Sequence, residues 1–188
     1  IVTTLLTPDD PRTVDLYSAK PVKLGSEPFL FKEVKDHTGI YIRWRWRAEQ
    51  YADYLLENVR STRMITVGSE QRIVHFVSIA MEKDHRAIRA EKYRPLVERF
   101  ASQYGVSKNL IYAIMKTESN FNPFAVSHAP AFGLMQIVPA TAGQDVYLFL
   151  NNRKGIPSKQ LLFNPEHNIH YGTVYLHLLR QKYLKDIS

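Results

Sequence analysis

The most informative stretch of this 188-residue chain covers residues 107–136 and reads SKNLIYAIMKTESNFNPFAVSHAPAFGLMQ. Ile111, Ile114 and Glu118 recur at the spacing of one face of an α-helix. Ser107 is a suitable N-cap for that helix, and Asn120 is placed to end it. Because the apolar part of the face must pack against a core, we expect the Glu118 carboxyl group to lie at the rim of that core.

A carboxylic acid in this position is a candidate proton donor. Partial burial and the negative end of the helix dipole both disfavour the charged form, so we expect a raised pKa for Glu118. A carboxyl group that is neutral at neutral pH can protonate a leaving oxygen. No other Asp or Glu occurs between Ser119 and Gln144, so no second carboxylate is close in sequence. The alternative is a solvated Glu118 at a frayed helix end.

The residues after Glu118 supply polar groups that suit a sugar substrate. Gly133-Leu134-Met135-Gln136 combines a glycine for close approach, an apolar platform and an amide that both donates and accepts hydrogen bonds. Ser119 and Ser127 add hydroxyl groups. Amides and hydroxyls around a single acid fit a polymer that is rich in N-acetyl and hydroxyl groups.

The sequence before residue 91 differs in pattern from the sequence after it. Residues 1–90 predict a small α+β module, with β-branched and aromatic runs as strands and one amphipathic segment as a helix. The predicted strands are Phe29–Phe31, Ile40–Trp46, Met64–Val67 and Ile73–Ile79. Glu49–Val59 is the predicted helix, and turns are predicted at His37–Gly39 and Gly68–Ser69.

Residues 91–188 predict an all-α domain. A helix containing Tyr93 to Tyr104 ends at Gly105, and another helix runs from Pro139 to about Leu150. Residues 151–160 are polar and are predicted to form a loop. Asn164 and Pro165 are placed as the N-cap and first residue of a final helix, on which Gly172 allows another element to approach closely.

The composition is that of an ordinary globular protein with an excess of positive charge. The net charge of +7 favours an anionic partner through long-range attraction. The absence of Cys excludes disulfides, thiolate metal sites and Cys nucleophiles. The histidines lack ligand spacing, so no metal site and no cofactor are predicted. No apolar run approaches the roughly 20 residues of a membrane helix.

The densest basic run is Arg43-Trp44-Arg45-Trp46-Arg47. Its alternation predicts a half-buried strand with one basic and one aromatic face, the tryptophans being buried in the first module. Interleaved Arg and Trp can also bind single-stranded nucleic acid by stacking, or a sugar. We prefer the half-buried strand and predict no nucleic-acid partner.

An ordered set of motifs resembles the lytic transglycosylases of glycoside hydrolase family 23. The set comprises Glu118-Ser119-Asn120-Phe121-Asn122-Pro123, Ala125-Val126-Ser127, Gly133-Leu134-Met135-Gln136 and Asn164-Pro165…Asn168-Ile169…Gly172…Tyr175-Leu176. Residues 3–11 and Asp36-His37-Thr38-Gly39 are similar to the first region of a membrane-bound branch of that family.

This resemblance implies a lysozyme-like α fold for residues 91–188 and cleavage of the MurNAc–GlcNAc bond of peptidoglycan without water. By motif position it implies that Glu118 is the catalytic acid and base. It also implies that Ser119, Ser127, Met135, Gln136 and Tyr175 contact the glycan strand. The membrane-bound members are lipoproteins of the outer membrane facing the periplasm, so a lipid anchor is expected outside this chain.

The chain departs from the family pattern in two places. Pro130-Ala131-Phe132 precedes Gly133, where the family usually has Gly-Ala two residues before its Gly-Leu-Met-Gln, and the proline stiffens that loop. The Ala-Tyr-Asn motif and the closing helices of the family would lie after Ser188. The lysozyme-like domain is therefore expected to be incomplete at its C-terminal end.

A lone acid favours a substrate-assisted mechanism, because retaining and inverting glycosidases normally use a second carboxylate. In that hypothesis the N-acetyl group of MurNAc stabilises the cation, and the 6-hydroxyl of the same sugar closes a 1,6-anhydro ring. Two alternatives stay open at this point. One is a hydrolase resembling goose-type lysozyme, with water as acceptor, and the other is a non-catalytic peptidoglycan-binding module.

Overall fold

The computed structural model describes residues 1–7 and 27–183, so residues 8–11 of the motif at 3–11 lie outside the described residues. The described residues form two compact units, of which the first ends at His85 and the second begins at Arg86. The first unit contains a small sheet and two helices, and the second is helical. This order confirms the predicted fold class, an α+β module followed by an all-α lysozyme-like domain.

The first unit is built around helix α2, Arg45–Asn58. A short helix, α1, Val2–Leu5, packs against it. Buried residues recur along α2 at helical spacing, which gives it one apolar face. Together they form a core that contains Leu5, Leu6, Val34, Ile42, Ala48, Tyr51 and Leu55.

The predicted strand at Ile40–Trp46 is wrong. Trp44 is the N-cap of α2, and the residues from Arg45 onward are helical. The apolar face of α2, which packs on the core, favours the helix, and the exposed i,i+4 ion pair between Arg45 and Glu49, 2.8 Å, adds only a little. A five-residue alternation is too short to outweigh them. The predicted helix at Glu49–Val59 is confirmed but starts at Arg45.

The predicted strand at Phe29–Phe31 is also wrong, because this segment forms turns. The amide of Phe31 donates to the carbonyl of Pro28 at 2.9 Å, and the amide of Glu33 donates to Leu30 at 2.9 Å. These bonds bend the chain locally, so the aromatic residues do not form a ladder with a neighbouring strand.

The predicted hairpin is confirmed. Strand β1, Ser61–Val67, pairs antiparallel with β2, Glu70–Phe76, and Met64 lies opposite Ile73. The connecting Gly68 has φ of 64°, which suits a tight turn. The second strand ends at Phe76 and not at Ile79. Most residues of both strands are exposed.

The predicted turn at His37–Gly39 is confirmed, and the Asp36 carboxylate organises it. Asp36 accepts hydrogen bonds from the Thr38 hydroxyl at 2.6 Å and from the amides of Thr38 and Ile40 at 2.9 and 3.0 Å. Its second oxygen binds Arg47 of α2 at 2.5 Å. Burial alone would raise the pKa of Asp36, but these hydrogen bonds lower it to about 2.

The second unit consists of helices around a large apolar core. Its elements are α3, His85–Lys92; α4, Arg94–Tyr104; α5, Lys108–Ser119; a π-helical turn, Pro139–Gly143; α6, Gln144–Asn151; α7, Lys159–Phe163; and α8, Pro165–Tyr183. The core includes Val97, Phe100, Ile111, Met115, Leu134, Val146, Leu162, Ile169 and Val174. Sequence patterns predicted α4, α5, α6 and α8, but not α3 or α7, and α7 begins inside the predicted loop at 151–160.

The ends of these helices follow the predicted signals. Gly105 ends α4 in the left-handed conformation. Asn164 caps α8 by accepting a hydrogen bond from the amide of His167 at 3.1 Å. Ser107 is the N-cap of α5, although its side chain makes no capping hydrogen bond.

No helix in residues 1–7 or 27–183 is both long enough and apolar enough to cross a lipid bilayer.

Candidate functional site

Glu118 is the second-last residue of α5, and its side chain is exposed. The predicted burial of Glu118 is therefore wrong. The buried residues of α5 are Ile111 and Met115, so the last turn of the helix lies beyond the part that packs on the core. Among the described residues Glu118 has no hydrogen-bond or ion-pair partner. Its carboxylate is free to meet a ligand.

The backbone that carries Glu118 is held firmly. Asn120 and Phe121 both adopt positive φ, 52° and 59°, which costs about 1 kcal/mol for each non-glycine residue. Their amides bind the carbonyls of Lys116 and Met115 at 3.1 and 3.2 Å. Phe121 is buried in the core, and this burial offsets the backbone cost. The helix therefore ends at a fixed place.

Ser119 joins the end of α5 to the segment Gly133–Gln136. Its hydroxyl lies 3.0 Å from the carbonyl oxygen of Met115 and 2.8 Å from that of Leu134. Leu134 is completely buried, so the contact anchors the residue after Glu118 to the core. The hydroxyl of Ser119 is occupied by these contacts in the fold, and its predicted contact with substrate stays a prediction.

Gly133 is required by its surroundings. Its φ is 74°, and a Cβ at this position would meet the carbonyl oxygen of Leu162 at 2.7 Å and the side chain of Asn168. A side chain here would push the segment away from α8. The glycine thus keeps Gly133–Gln136 close to the core.

Gln136 closes the loop that begins after α5. Its side-chain amide nitrogen donates to the carbonyls of Ala125 and Gly133 at 3.1 and 2.8 Å. Gln136 itself has φ of 48° and is half-buried. The amide oxygen has no hydrogen-bond partner among the described residues, so it is available as an acceptor for a ligand.

Asn168 of α8 is a positioning residue that sequence patterns did not single out as part of the site. It is almost fully buried, and its carbonyl oxygen accepts from the amide of Met135 at 2.7 Å. Its amide nitrogen donates to the carbonyls of Phe132 and Leu162 at 2.7 and 2.8 Å. One feature of the sequence could have identified Asn168. Its side-chain amide stands beside Ile169 on the apolar face of a helix, and a buried polar group there needs hydrogen-bond partners.

Met135 packs inside the domain. It is 5% exposed, and its side chain lies against the backbone of α8 at Gly172, where a Cβ would come within 2.6 Å of its methyl carbon. This confirms the close approach predicted for Gly172. The packing gives Met135 a structural role, and its contact with substrate stays a prediction.

Ser127 and Tyr175 lie on opposite sides of the Gly133–Gln136 segment in sequence. Ser127 is exposed, and its hydroxyl makes a short contact with the carbonyl of Ala129 inside the loop. Tyr175 is half-buried on α8, three residues after Gly172. Its hydroxyl has no partner within the described part of the chain. Both residues remain predicted substrate contacts.

The site offers hydrogen-bonding groups without a cluster of metal ligands. In the described ranges no three His, Asp or Glu side chains are placed to hold one metal ion. Within residues 1–7 and 27–183, the Glu118 carboxylate, the Gln136 amide oxygen and the Tyr175 hydroxyl have no hydrogen-bond partner. One acid with neutral acceptors and donors suits protonation of, and hydrogen bonding to, a sugar.

Two family models cover nearly the whole chain. Residues 1–92 match the N-terminal domain of membrane-bound lytic murein transglycosylase C, and residues 95–188 match the transglycosylase SLT domain. All the predicted site residues fall in the second match. The comparison with family models thus places the candidate site in one domain.

The chain is similar over its full length to curated proteins called membrane-bound lytic murein transglycosylase C. It is 49% identical to those of Yersinia pestis (strain Pestoides F) and Yersinia pseudotuberculosis serotype O:1b (strain IP 31758). All of this chain is aligned but only 51% of each relative, so it spans about half their length. A solved structure, the 70 kDa soluble lytic transglycosylase of Escherichia coli, is 37% identical over 48% of this chain and 14% of its own, with a TM-score of 0.44.

Proposed function

The chain belongs to the transglycosylase SLT family, and we propose that it cleaves the β-1,4 bond between MurNAc and GlcNAc in peptidoglycan. In this proposal it is a lytic transglycosylase that leaves 1,6-anhydroMurNAc. The observation that carries the proposal is the Glu118 carboxylate, which is exposed and unpaired among the described residues while its backbone is fixed to Leu134 through Ser119. A carboxyl group on fixed backbone that is open to a ligand can act as a general acid when it is protonated.

The mechanism uses Glu118 twice. Glu118 first donates its proton to the glycosidic oxygen, and the C1–O bond of MurNAc breaks. The N-acetyl group of that sugar stabilises the positive charge at C1, as in other substrate-assisted enzymes. The Glu118 carboxylate then takes the proton of the 6-hydroxyl group. At the same time the oxygen of that hydroxyl group bonds to C1 of the same sugar. Glu118 returns to its protonated form, and the ring closure needs no water.

Because Glu118 is exposed in the free chain, the bound glycan itself must shield the carboxyl group from water. A glycan strand lying over the end of α5 removes water from the carboxyl group, which favours its protonated form. We propose that the amide oxygen of Gln136 and the hydroxyl of Tyr175 orient the sugar through hydrogen bonds. Ser127 extends this polar surface, whereas Ser119 and Met135 act mainly by holding the loop.

The cellular setting follows from the relatives. Their name contains the term membrane-bound, which supports membrane association of this chain. We propose the finer location, the periplasm with attachment to the outer membrane as a lipoprotein, through a lipid anchor outside residues 1–188. The net charge of +7 then attracts the carboxylates of peptidoglycan stems. Residues 1–90 serve as a module before the catalytic domain of residues 91–188.

A hydrolase with the same acid is the second candidate. The specific observation that favours it is the exposure of Glu118, because water has free access to the reacting group. In that reaction the Glu118 carboxylate would activate a water molecule in place of the 6-hydroxyl. The fold would be the same, so only the product distinguishes the two reactions.

The product mass tests the proposal. The chain is incubated with purified sacculi, and the released muropeptides are analysed by mass spectrometry. We expect products that are lighter by one water than the hydrolysed species, because the anhydro ring replaces the water. Products of the heavier mass would assign the chain to the hydrolases. Binding to sacculi without any release would instead identify a non-catalytic glycan-binding module.

A further inference from the structure

The first unit presents an exposed pair of tryptophans between exposed arginines. We use the name Arg–Trp face for the exposed surface of the four consecutive residues Arg43, Trp44, Arg45 and Trp46. Trp44 is 58% exposed and Trp46 is 53% exposed, and they are the two tryptophans of the chain. Tryptophan is highly buried on average in folded proteins, so two such exposed rings need an explanation. The preferred interpretation from sequence, burial of both rings in the module, is wrong.

The stability of helix α2 does not explain this composition. The first turn of α2 carries no acidic residue and contains Arg45 and Arg47, which meet the positive end of the helix dipole. Arg43 pairs with Glu27 at 3.3 Å and Arg45 with Glu49 at 2.8 Å. These pairs are exposed, and such pairs contribute little to folding.

Each tryptophan ring is associated with a guanidinium group. The guanidinium carbon of Arg43 lies 5.1 Å from the ring centre of Trp44, and that of Arg47 lies 4.6 Å from Trp46. A guanidinium group therefore covers one face of each ring and brings positive charge beside it. Cation–π pairing also lowers the cost of moving an arginine towards an apolar medium. Aromatic rings paired with arginines suit a boundary between water and hydrocarbon, and we use this arrangement to choose among anionic partners.

The charge and the residue types of the face agree with a phospholipid surface. Guanidinium groups bind phosphate oxygens through two parallel hydrogen bonds, and tryptophan prefers the headgroup level of a bilayer. Ile40, four residues before Trp44 in sequence, is also 50% exposed. We propose that the Arg–Trp face binds anionic phospholipid bilayers directly, with Arg43 and Arg45 on phosphates and both indoles at the headgroup boundary. This contact is additional to any lipid anchor and independent of the catalytic proposal.

The two tryptophans provide the experiment with its own probe. Because Trp44 and Trp46 are the two tryptophans of the chain, intrinsic tryptophan emission reports only their surroundings. The chain is titrated with vesicles of phosphatidylglycerol and phosphatidylcholine, and with vesicles of phosphatidylcholine alone. We expect a blue shift with the anionic vesicles, quenching by lipids with brominated acyl chains, and weaker binding as salt rises. An unchanged emission with anionic vesicles overturns the proposal.

A matched pair of double variants separates the face from net charge. The double variant Arg43→Gln with Arg45→Gln should lower the affinity for anionic vesicles about 25-fold. Each arginine near a membrane surface contributes a factor of roughly five, and the two factors multiply. Arg63→Gln with Arg72→Gln removes the same charge from the exposed hairpin of the same unit and should cost less than twofold. Equal losses in the two variants would assign binding to overall charge and overturn the proposal. A blue shift with sacculi or single-stranded DNA in place of vesicles would do the same.

Circular dichroism of both double variants checks that they fold. The arginines at all four positions are exposed, so we expect wild-type spectra and unfolding temperatures. If the first pair were unfolded, Trp44→Leu with Trp46→Leu, followed by vesicle co-sedimentation, would test the same face without touching the ion pairs. Retained binding by that variant counts against the proposal.

Discussion

Asp36 in the first unit and Glu118 in the second are two carboxylates in opposite surroundings. The Asp36 side chain is 4% exposed and receives hydrogen bonds from Thr38, Ile40 and Arg47. Glu118 is exposed and has no partner among the described residues. The backbone is held firmly at both residues. The Asp36 carboxylate itself makes the bonds that hold it, whereas the Glu118 carboxylate does not.

The difference shows how to separate a structural acid from a reactive one. Asp36 uses both its oxygens inside the fold, and its pKa is lowered to about 2, so it neither gives nor takes a proton near neutral pH. At Glu118 the neighbouring groups do the structural work, through the Ser119 hydroxyl and the left-handed Asn120. The carboxyl group remains available for chemistry. The following predictions test this division.

Glu118→Gln should have the largest effect, and only on activity. Loss of the general acid and base should lower the release of muropeptides from sacculi by at least about 100-fold. The free energy of unfolding should change by less than about 0.5 kcal/mol, because the carboxylate has no partner in the described fold. Muropeptide release and thermal unfolding measure the two quantities.

The control for this variant is Glu98→Gln on α4, an exposed glutamate whose ion pair with Lys108 is long, at 3.6 Å. It should leave both activity and stability unchanged. A Glu118→Gln chain that keeps near-normal turnover would remove Glu118 from the mechanism.

Gly133→Ala should have the next largest effect, and it acts on stability. The new Cβ would lie 2.7 Å from the carbonyl of Leu162 and against Asn168, on a residue with φ of 74°. Backbone strain and overpacking together should lower the free energy of unfolding by about 3 kcal/mol. Gly105→Ala in the same unit shares the strain, with φ of 62°, but its Cβ meets only a flexible side chain, that of Arg180, at 3.4 Å.

Gly105→Ala should therefore cost only about 1 kcal/mol. Thermal unfolding followed by helical circular dichroism gives both values. If both variants lost a similar free energy of unfolding, the contacts of the new Cβ at position 133 would add nothing to the backbone strain.

Asp36→Asn should change how stability depends on pH. The pKa of Asp36 is lower in the folded chain than its ordinary value of 3.8, so its contribution is fully present above pH 3.8 and is lost as pH falls towards 2. The shift corresponds to about 2 kcal/mol. The variant should lose that amount at neutral pH and show a flatter profile between pH 4 and 2.

Denaturant unfolding followed by tryptophan emission measures this effect, because Trp44 and Trp46 both lie in the first unit. Glu118→Gln, in the other unit, should leave the tryptophan profile unchanged. An Asp36→Asn profile as steep as that of the wild type would show that another group causes the acid sensitivity.

The sequence predicted those parts of the fold whose signals are local. The caps Asn164 and Gly105 and the turn at Gly68 were predicted correctly because the required backbone geometry depends on neighbouring residues. The strand predicted at Ile40–Trp46 failed because the decisive residues, Ala48 and Leu55, follow it and pack on a core that only tertiary structure defines.

The sequence predicted the helix that carries Glu118 but not the surroundings of that residue. The spacing from Ile111 predicted burial at the rim of the core for Glu118, which is exposed, because periodicity cannot tell where along the helix the core ends. The role of Asn168 depends on three groups, from Phe132, Met135 and Leu162, that are distant in sequence or on another element. Such partners become visible only when the chain is folded.

Ser119→Ala is expected to have the smallest effect and tests how Glu118 is held. Removing the hydroxyl leaves the buried carbonyl of Leu134 without this donor, which should cost about 1 kcal/mol. Thr117→Ala is the matched control, because its hydroxyl bonds only the carbonyl of Ala113 on the exposed side of the same helix. Thermal unfolding should show a loss for Ser119→Ala alone. If both variants unfold like the wild type, the hydroxyl contact does not anchor α5, and the fixed position of Glu118 must come from Phe121 and its buried ring.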